Sequence, residues 1–188
     1  MPNWCHNRVT LSASNADHFA LLRGMIGSKD YPLDFQKILP MPEALNIEAG
    51  SCELGYLAMY GDYRRMLNYS WIRKHHVKSR VELCNLLWRI RPEIMEKADL
   101  YKNNMDKYGH LNWYDWRNAN WGTKWEVPAT DITVVTETED YMVLEFDTAW
   151  SPADGICQKI VELIDEHNLA ATISWFYDEP GMSMAGYL

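Results

Sequence analysis

The amino-acid sequence predicts an α+β fold: a ferredoxin-like antiparallel sheet of βαββαβ order with an extra edge strand, carrying a helical insertion at residues 50–110. Three observations support this prediction. Apolar and polar residues alternate near the N-terminus and through the last third of the chain, as in strands with one buried face. Helix-start patterns separate those strands, and the central stretch has helical periodicity. We therefore expect residues 1–188 to form one domain that contains the insertion.

The first strand and the first helix are predicted within residues 7–27. Residues 7–12 alternate and indicate the strand. Ser14 is the expected N-cap of the helix, with Asp17 as its capping partner, and Gly27 is expected to end it in a left-handed conformation. The apolar side chains assigned to its buried face are Phe19, Leu22 and Ile26. The irregular stretch that follows, residues 30–63, is expected to be anchored by Phe35, Ile38 and Leu39.

The insertion is predicted to be mostly helical. Ser79 and Glu82 match a capping box at the start of a helix that reaches about residue 100. Pro92 is expected to kink this helix or to begin a second one, because proline lacks an N–H and clashes with the preceding turn. Another helix is expected between residues 56 and 69. The side chains assigned to the buried face of the longer helix are Val81, Cys84, Leu87, Trp88, Ile94 and Met95.

The last third is predicted to supply a hairpin and the second helix of the sheet domain. Residues 132–136 and 142–148 alternate on either side of a polar link. Ser151 is the expected N-cap of the helix, followed by Pro152 at its first position and Asp154 in its first turn. Its expected buried face consists of Ile156, Ile160, Leu163 and Ile164.

The C-terminal residues are predicted to form two more strands joined by a tight turn. Residues 173–177 alternate as a strand. Residues 179–182 fit a type II turn, with Pro180 and Gly181 at its two central positions. Residues 183–187 then give the final strand.

The composition predicts a cytoplasmic protein that folds without a metal ion, a cofactor or a disulfide. A chain of 188 residues is long enough to bury about 70% of its unfolded surface. The four cysteines, at positions 5, 52, 84 and 157, lie far apart, and the sequence has no CxxC or HExxH motif. The N-terminus lacks the basic start and apolar run of a signal peptide, and no apolar stretch reaches the roughly 18 residues of a membrane span.

Charge is unevenly distributed along the chain. The net charge is −8, but residues 64–124 sum to +7 and residues 125–188 to −12. The strongest positive feature is a basic patch within residues 64–80, made of Arg64, Arg65, Arg73, Lys74, Lys78 and Arg80. Two interpretations remain open for it. The patch could contact nucleic-acid phosphates, or it could be a solvated face whose cations pair with acidic residues of the same chain.

Tryptophan is unusually frequent, with nine residues, and four of them fall between positions 113 and 125. One interpretation is a recognition surface of flat rings and polar groups. The candidate partner-binding residues are Trp113, Trp116, Arg117, Trp121, Lys124 and Trp125. The other interpretation is a tryptophan-rich core opposite Trp4 and Trp150, in which Gly122 permits a tight turn or a close backbone contact.

Five sequence blocks, in chain order, are MPNWCHNRVT, FQKILPMP, NWYDWRNANWGTKWE, FDTAWSPADGI and WFYDEPGMSMAGYL. Together they resemble the YubB-like family, accessory proteins of phages and conjugative plasmids that have a ferredoxin-like domain and no established activity. The blocks span the chain, and the region around residues 50–110 carries none of them. The resemblance implies the fold and a mobile-element origin; it implies no mechanism.

Three functional hypotheses follow. The first is a non-enzymatic protein made by a phage or plasmid, which binds and modulates a host macromolecule in the bacterial cytoplasm, with a defence component as one candidate. The second is a nucleic-acid-binding protein that uses the basic insertion. The third is a hydrolase or nuclease, for which Glu145 and Asp147 share a strand face, although such residues also typify the solvent face of an antiparallel sheet. No catalytic residue is assigned.

Overall fold

The computed structural model describes residues 3–188, except for the side chain of Cys52. Met1 and Pro2, at the start of the first sequence block, lie outside the described residues, as does the predicted free thiol of Cys52. The predicted α+β class is confirmed. The chain divides into two compact units: a sheet unit, of residues up to Met41 together with Arg117–Leu188, and a helical unit, Pro42–Trp116.

The strands form one antiparallel sheet, within the described residues, of order β2-β3-β1-β4-β5. The central strand β1 pairs with β3 on one side and β4 on the other, so that Val9 lies opposite both Leu144 and Trp175. The register of β2 on β3 shifts between Val134 and Thr136. The strands are β1 Trp4–Ala13, β2 Thr133–Glu137, β3 Tyr141–Ala149, β4 Ala171–Glu179 and β5 Met184–Tyr187.

The helices of the sheet unit cover its buried face. They are α1 Ala16–Ile26, α2 Phe35–Ile38 and, after the helical unit, α9 Asp154–Glu166. In β1 and β4, and largely in β3, alternation puts one set of side chains under these helices and leaves the other in solvent, as expected. The alternation predicted for residues 132–136 does not bury one face, because every residue of β2 is exposed. The predicted buried positions of α1 are confirmed, as are those of α9 except Leu163, which is half-buried. The core includes Val9, Leu11, Phe19, Leu22, Ile26, Phe35, Leu144, Phe146, Ile156, Ile160 and Trp175.

Both predicted helix starts in the sheet unit are wrong in position. The N-cap of α1 is Asn15, whose Oδ1 accepts the backbone N–H of His18 at 2.9 Å. Serine and asparagine are both favourable N-cap residues, so Ser14 and Asn15 were both possible. In the folded chain the side chain of Asn15 makes the capping hydrogen bond. Ser151 does not cap α9, because its hydroxyl donates to the Gly122 carbonyl at 2.5 Å. The helix instead begins at Asp154, with Ala153 at the N-cap.

Two predicted glycine conformations are also wrong. Gly27 ends α1 in extended backbone, with φ −173°, where a side chain would overlap the carbonyls of Tyr31 and Pro32. The turn after β4 has its positive φ at Ser183, 56°, and not at Gly181. This turn closes with a hydrogen bond from the Ser183 N–H to the Pro180 carbonyl at 3.2 Å, one residue later than a type II turn over residues 179–182 requires.

The helical unit contains helices and turns, and its described backbone has no strand. Ser79 caps α5 as predicted, since its hydroxyl accepts the Glu82 N–H at 3.3 Å, and Pro92 begins a separate helix, α6. The predicted helix at residues 56–69 is a short α-helix followed by a 3₁₀ segment, Tyr63–Asn68. The helices are α3 Leu54–Met59, α4 Ser70–Arg73, α5 Arg80–Ile90, α6 Pro92–Glu96, α7 Ala98–Tyr108 and α8 Trp113–Asn120, which ends in the sheet unit.

The buried face of α5 differs from the predicted one. Val81 and Trp88 are 69% and 48% exposed. The spacing i, i+3, i+4 is instead satisfied by Leu83, Leu86 and Leu87, all of which are buried. The core of this unit consists of Ala58, Met66, Ile72, Leu83, Leu87, Ile94 and Met95.

Candidate functional site

The tryptophans of the predicted partner-binding segment separate into buried and exposed residues. Trp121 is fully buried in the sheet unit; its indole N–H donates to the Leu39 carbonyl at 2.9 Å, and its ring meets Phe35 edge to face at 5.7 Å. The Arg117 guanidinium lies 4.7 Å from the Trp121 ring centroid. In the helical unit, Trp116 is buried and Trp113 is half-buried. These rings mainly serve the fold.

A tight turn carries the chain from the buried Trp121 to the surface. Gly122 has φ +84°, and a side chain there would overlap Asp154, so both roles predicted for this glycine are present. Thr123 is buried, and its hydroxyl donates to the Ala149 carbonyl at 3.0 Å. The segment is therefore fixed on both sides of the turn, which positions the two residues that follow.

Four side chains of the sheet unit then form an exposed aromatic surface: Trp4, Lys124, Trp125 and Trp150. The three rings are 50%, 40% and 46% exposed, respectively. The Lys124 Nζ atom lies 3.8 Å from the centroid of Trp125 and 5.7 Å from that of Trp150. Trp4 and Trp125 are 6.2 Å apart, centroid to centroid. Large apolar rings grouped at a surface are typical of binding sites.

The interpretation that put Trp4 and Trp150 in a tryptophan-rich core is wrong for these two residues, because both are exposed. The position of Trp4 could have been found from strand parity, because Cys5 and Val9 point inward and Trp4 therefore points outward. No such signal exists for Trp150, which follows β3 and has a positive φ of 76°. Of the segment 113–125, only Lys124 and Trp125 join the aromatic surface.

A cavity of about 260 Å³ adjoins Trp4 and Trp125 and has acidic walls. Asp131 and Asp147 line it. The Asp147 carboxylate also lies 3.2 Å from Nδ1 of His6, which is on the exposed face of β1. The aromatic surface is thus bordered by carboxylates, which favour a cationic binding partner.

Trp150 adopts a backbone conformation that a bulky residue rarely has, without full burial in return. Replacing it by glycine or alanine removes the ring in both cases, and the two variants differ by one Cβ. We expect Trp150→Gly to be more stable than Trp150→Ala by about 1 kcal/mol, because only alanine keeps the left-handed strain. Urea unfolding of the two variants measures the difference.

The matched control is Trp88, which is similarly exposed but lies inside α5. There the order should reverse, with Trp88→Gly less stable than Trp88→Ala by about 1 kcal/mol. Equal stability of the alanine and glycine variants at position 150 would contradict the inference that a side chain is strained there.

Glu126 also borders the cavity beside Trp125. Burial raises its pKa, and the nearby Asp34 raises it further, against the hydrogen bond from the Gln36 N–H at 3.0 Å. A carboxyl whose pKa is raised by folding contributes stability below its unfolded pKa and loses it as pH rises through the folded pKa. We therefore expect Glu126→Gln to raise the melting temperature at pH 7.5 and to flatten its decline between acidic and neutral pH.

The control for Glu126→Gln is Glu139→Gln, an exposed carboxyl in the turn between β2 and β3, which should leave both the melting temperature and its pH dependence unchanged. A Glu126→Gln variant that melts lower than the parent at pH 7.5 would show that ionised Glu126 stabilises the fold.

The residues of the basic patch lie in the helical unit and have two different roles. Those at positions 64, 65, 73, 74 and 78 are exposed, and none of them forms an ion pair with a residue of the described chain. Arg80 differs, because its guanidinium donates to the carbonyls of Ala58, Met59 and Gly61 at 3.0, 2.6 and 2.9 Å. It therefore holds the C-terminal end of α3.

The other side chains that could serve as catalytic groups are either paired with a neighbour or buried. Glu145 contacts Arg8 on the exposed face of the sheet, and Asp147 contacts His6, so the two carboxylates have separate partners. Burial raises the pKa of the Cys5 and Cys157 thiols to about 11, which keeps both protonated at neutral pH. Among the described side chains, which exclude that of Cys52, no group of three or more from His, Cys, Asp and Glu could hold a metal ion.

The fold and this site define the chain as an α+β protein with a five-stranded antiparallel sheet and a surface-exposed tryptophan cluster. No family model matches the sequence, and no curated protein matches it. One solved structure is similar: the crystal structure of a protein api92 from Yersinia pseudotuberculosis, of the family DUF1281. The two are 14% identical with a TM-score of 0.47, over all of this chain and 93% of the other. None of the helices in the described chain is long and apolar enough to cross a membrane.

Proposed function

We propose that this chain is a non-catalytic accessory protein that binds a protein partner through the aromatic surface. The observation that carries the proposal is the grouping of three rings, each at least 40% exposed. Trp4 lies beside Trp125, and the Lys124 ammonium lies near the rings of Trp125 and Trp150. Tryptophan is the residue most enriched among the few that dominate binding energy at protein interfaces.

Charge indicates what the partner presents. Residues 125–188 contain thirteen acidic and one basic side chain, and carboxylates border the aromatic surface. A partner with a basic face is therefore favoured, and nucleic acid is repelled from this surface. Proteins with nucleic-acid channels, including defence components of a bacterial host, present such faces.

The biological setting belongs to the same proposal. The resemblance to the YubB-like family supports an origin in a phage or conjugative plasmid. With that origin, we propose that the protein acts on a host macromolecule in the host cytoplasm. A ferredoxin-like topology is also proposed: the neighbour order β2-β3-β1-β4, with a helix after β1 and another after β3, supports it. In this scheme β5 is the additional edge strand.

A comparison of variants tests the proposal. The chain and two variants are immobilised and exposed to bacterial lysate: Trp4→Ala/Trp125→Ala/Trp150→Gly, and Trp88→Ala as a matched exposed tryptophan outside the site. We expect one protein to be retained by the parent and by Trp88→Ala, and lost from the triple variant. Equal retention by all three would reject the aromatic surface as the binding site.

A second candidate function, nucleic-acid binding, is favoured by the five exposed cations of the basic patch, at positions 64, 65, 73, 74 and 78. Changing Arg64, Arg73, Lys74 and Lys78 to glutamine should reduce the magnitude of the slope of log affinity against log salt by about 3.6 for double-stranded DNA, if each cation contacts one phosphate. Arg80 is excluded from this set because the fold uses it. A slope that is the same in the parent and the variant would remove this candidate.

A further inference from the structure

A second groove of the sheet unit, of about 360 Å³, has a buried carboxylate among its lining residues. Trp150 forms part of one wall, and Tyr177 and Glu179 come from β4. The side chains of Met182, Met184 and Leu188 make another part of the lining apolar. Glu179 is 1% exposed, which is unusual for an acidic residue that has no cationic partner.

The two oxygens of the Glu179 carboxylate are in different situations. Oε2 accepts the backbone N–H of Met182 in the turn after β4. Oε1 is buried and accepts no hydrogen bond within the described chain. The ion pairs of residues 3–188 do not include Glu179 either. A buried acceptor without a donor is costly, and more so when it is charged, so a donor that reaches Oε1 from the groove is favoured there.

We propose that this groove binds an alkylammonium group, namely a lysine side chain of a protein. One carboxylate oxygen is free, which suits the point charge of an ammonium; a guanidinium binds best when both oxygens can accept. Met182, Met184 and Leu188 provide apolar contact for the methylene stem. The rings of Trp150 and Tyr177 add aromatic faces of the kind that attract cations.

The proposal deepens the proposed function, on which it rests for the source of the lysine, because Trp150 belongs both to the groove and to the aromatic surface. The chemistry of the groove can nevertheless be measured without the partner. If the small-molecule test fails, the proposal that the aromatic surface binds a protein still stands. If the lysate test fails, the proposal that the groove binds an ammonium group still stands.

The experiment is an NMR titration of the ¹⁵N-labelled full chain with Nα-acetyl-lysine methylamide, followed at the Met182 amide and the Trp150 indole. The norleucine analogue, which keeps the stem and lacks the charge, and the arginine analogue are the comparison ligands. We expect saturable shifts with the lysine ligand and an affinity for each comparison ligand that is lower by about tenfold. Equal affinity for the norleucine ligand would overturn the proposal, because it would leave only an apolar groove.

Two variants and a control complete the test. Glu179→Gln should weaken lysine binding by about tenfold, whereas Asp178→Asn, the adjacent carboxylate on β4, should not change it. Met184 is 49% exposed, so Met184→Lys keeps the fold even if Glu179→Gln does not. It offers the groove a tethered ammonium and should abolish binding of the added ligand. Unchanged affinity in Met184→Lys or in a folded Glu179→Gln would overturn the proposal.

Discussion

Trp121→Ala is expected to lower the free energy of unfolding by about 3–5 kcal/mol, the range for removing a large aromatic ring from a packed core. The ring is fully buried, and it packs against Phe35 at 5.7 Å. Its N–H satisfies the Leu39 carbonyl, so the variant also leaves that acceptor without its donor. Urea unfolding of the full chain, followed by far-UV circular dichroism, measures the loss.

Trp125→Ala is the matched control, four residues along the same segment. Its ring is 40% exposed, so its loss should lower the free energy of unfolding by clearly less than the loss of Trp121, because less apolar area leaves the interior. Similar losses at positions 121 and 125 would contradict the division of this segment into a core residue and a surface residue.

Arg80→Met is expected to cost about 3 kcal/mol in the stability of the helical unit. The guanidinium donates to three carbonyls and lies 4.9 Å from the Tyr63 ring centroid. Hydrogen bonds from charged donors contribute about 1.5–3 kcal/mol each, and partial exposure reduces that sum. Methionine keeps the apolar stem, so the loss reports on the polar contacts, and hydrogen exchange at the C-terminal end of α3 measures it locally.

Arg73→Met is the corresponding control in the same basic patch. Arg73 is exposed and has no ion pair within residues 3–188, so its change should stay within about 0.5 kcal/mol. An Arg80→Met variant as stable as Arg73→Met would mean that Arg80 is one more solvated cation.

Strands could be predicted from the sequence because alternation is a local property. Alternation indicated β1, β3 and β4, but their pairing with one another joins distant parts of the chain. Helix ends were less predictable, because the choice between Ser14 and Asn15, or the use of Ser151 as a donor to Gly122, depends on contacts made by the folded chain. Gly122 was assigned correctly as a turn residue, but Asp154, whose atoms constrain it, is distant in sequence and could not be identified from the local pattern.

The candidate site was harder to predict, because its residues come from distant parts of the chain. Trp4, Lys124 and Trp150 meet only through the pairing of β1 with β3 and the turn at Gly122. The basic patch was found as a run of charges, but sequence spacing could not show that Arg80 turns inward. Glu179 gave no signal, since an acidic residue beside a turn is ordinarily solvated.

Site-specific photocrosslinking tests the central claim most directly. The full chain is expressed in bacterial cells with p-benzoylphenylalanine in place of Trp125 or, as the control, in place of Trp88. The account predicts a covalent adduct with one host protein from position 125 on irradiation, and none from position 88. Adduct formation from position 88 alone, or the same adducts from both positions, would contradict a binding surface built on Trp4, Trp125 and Trp150.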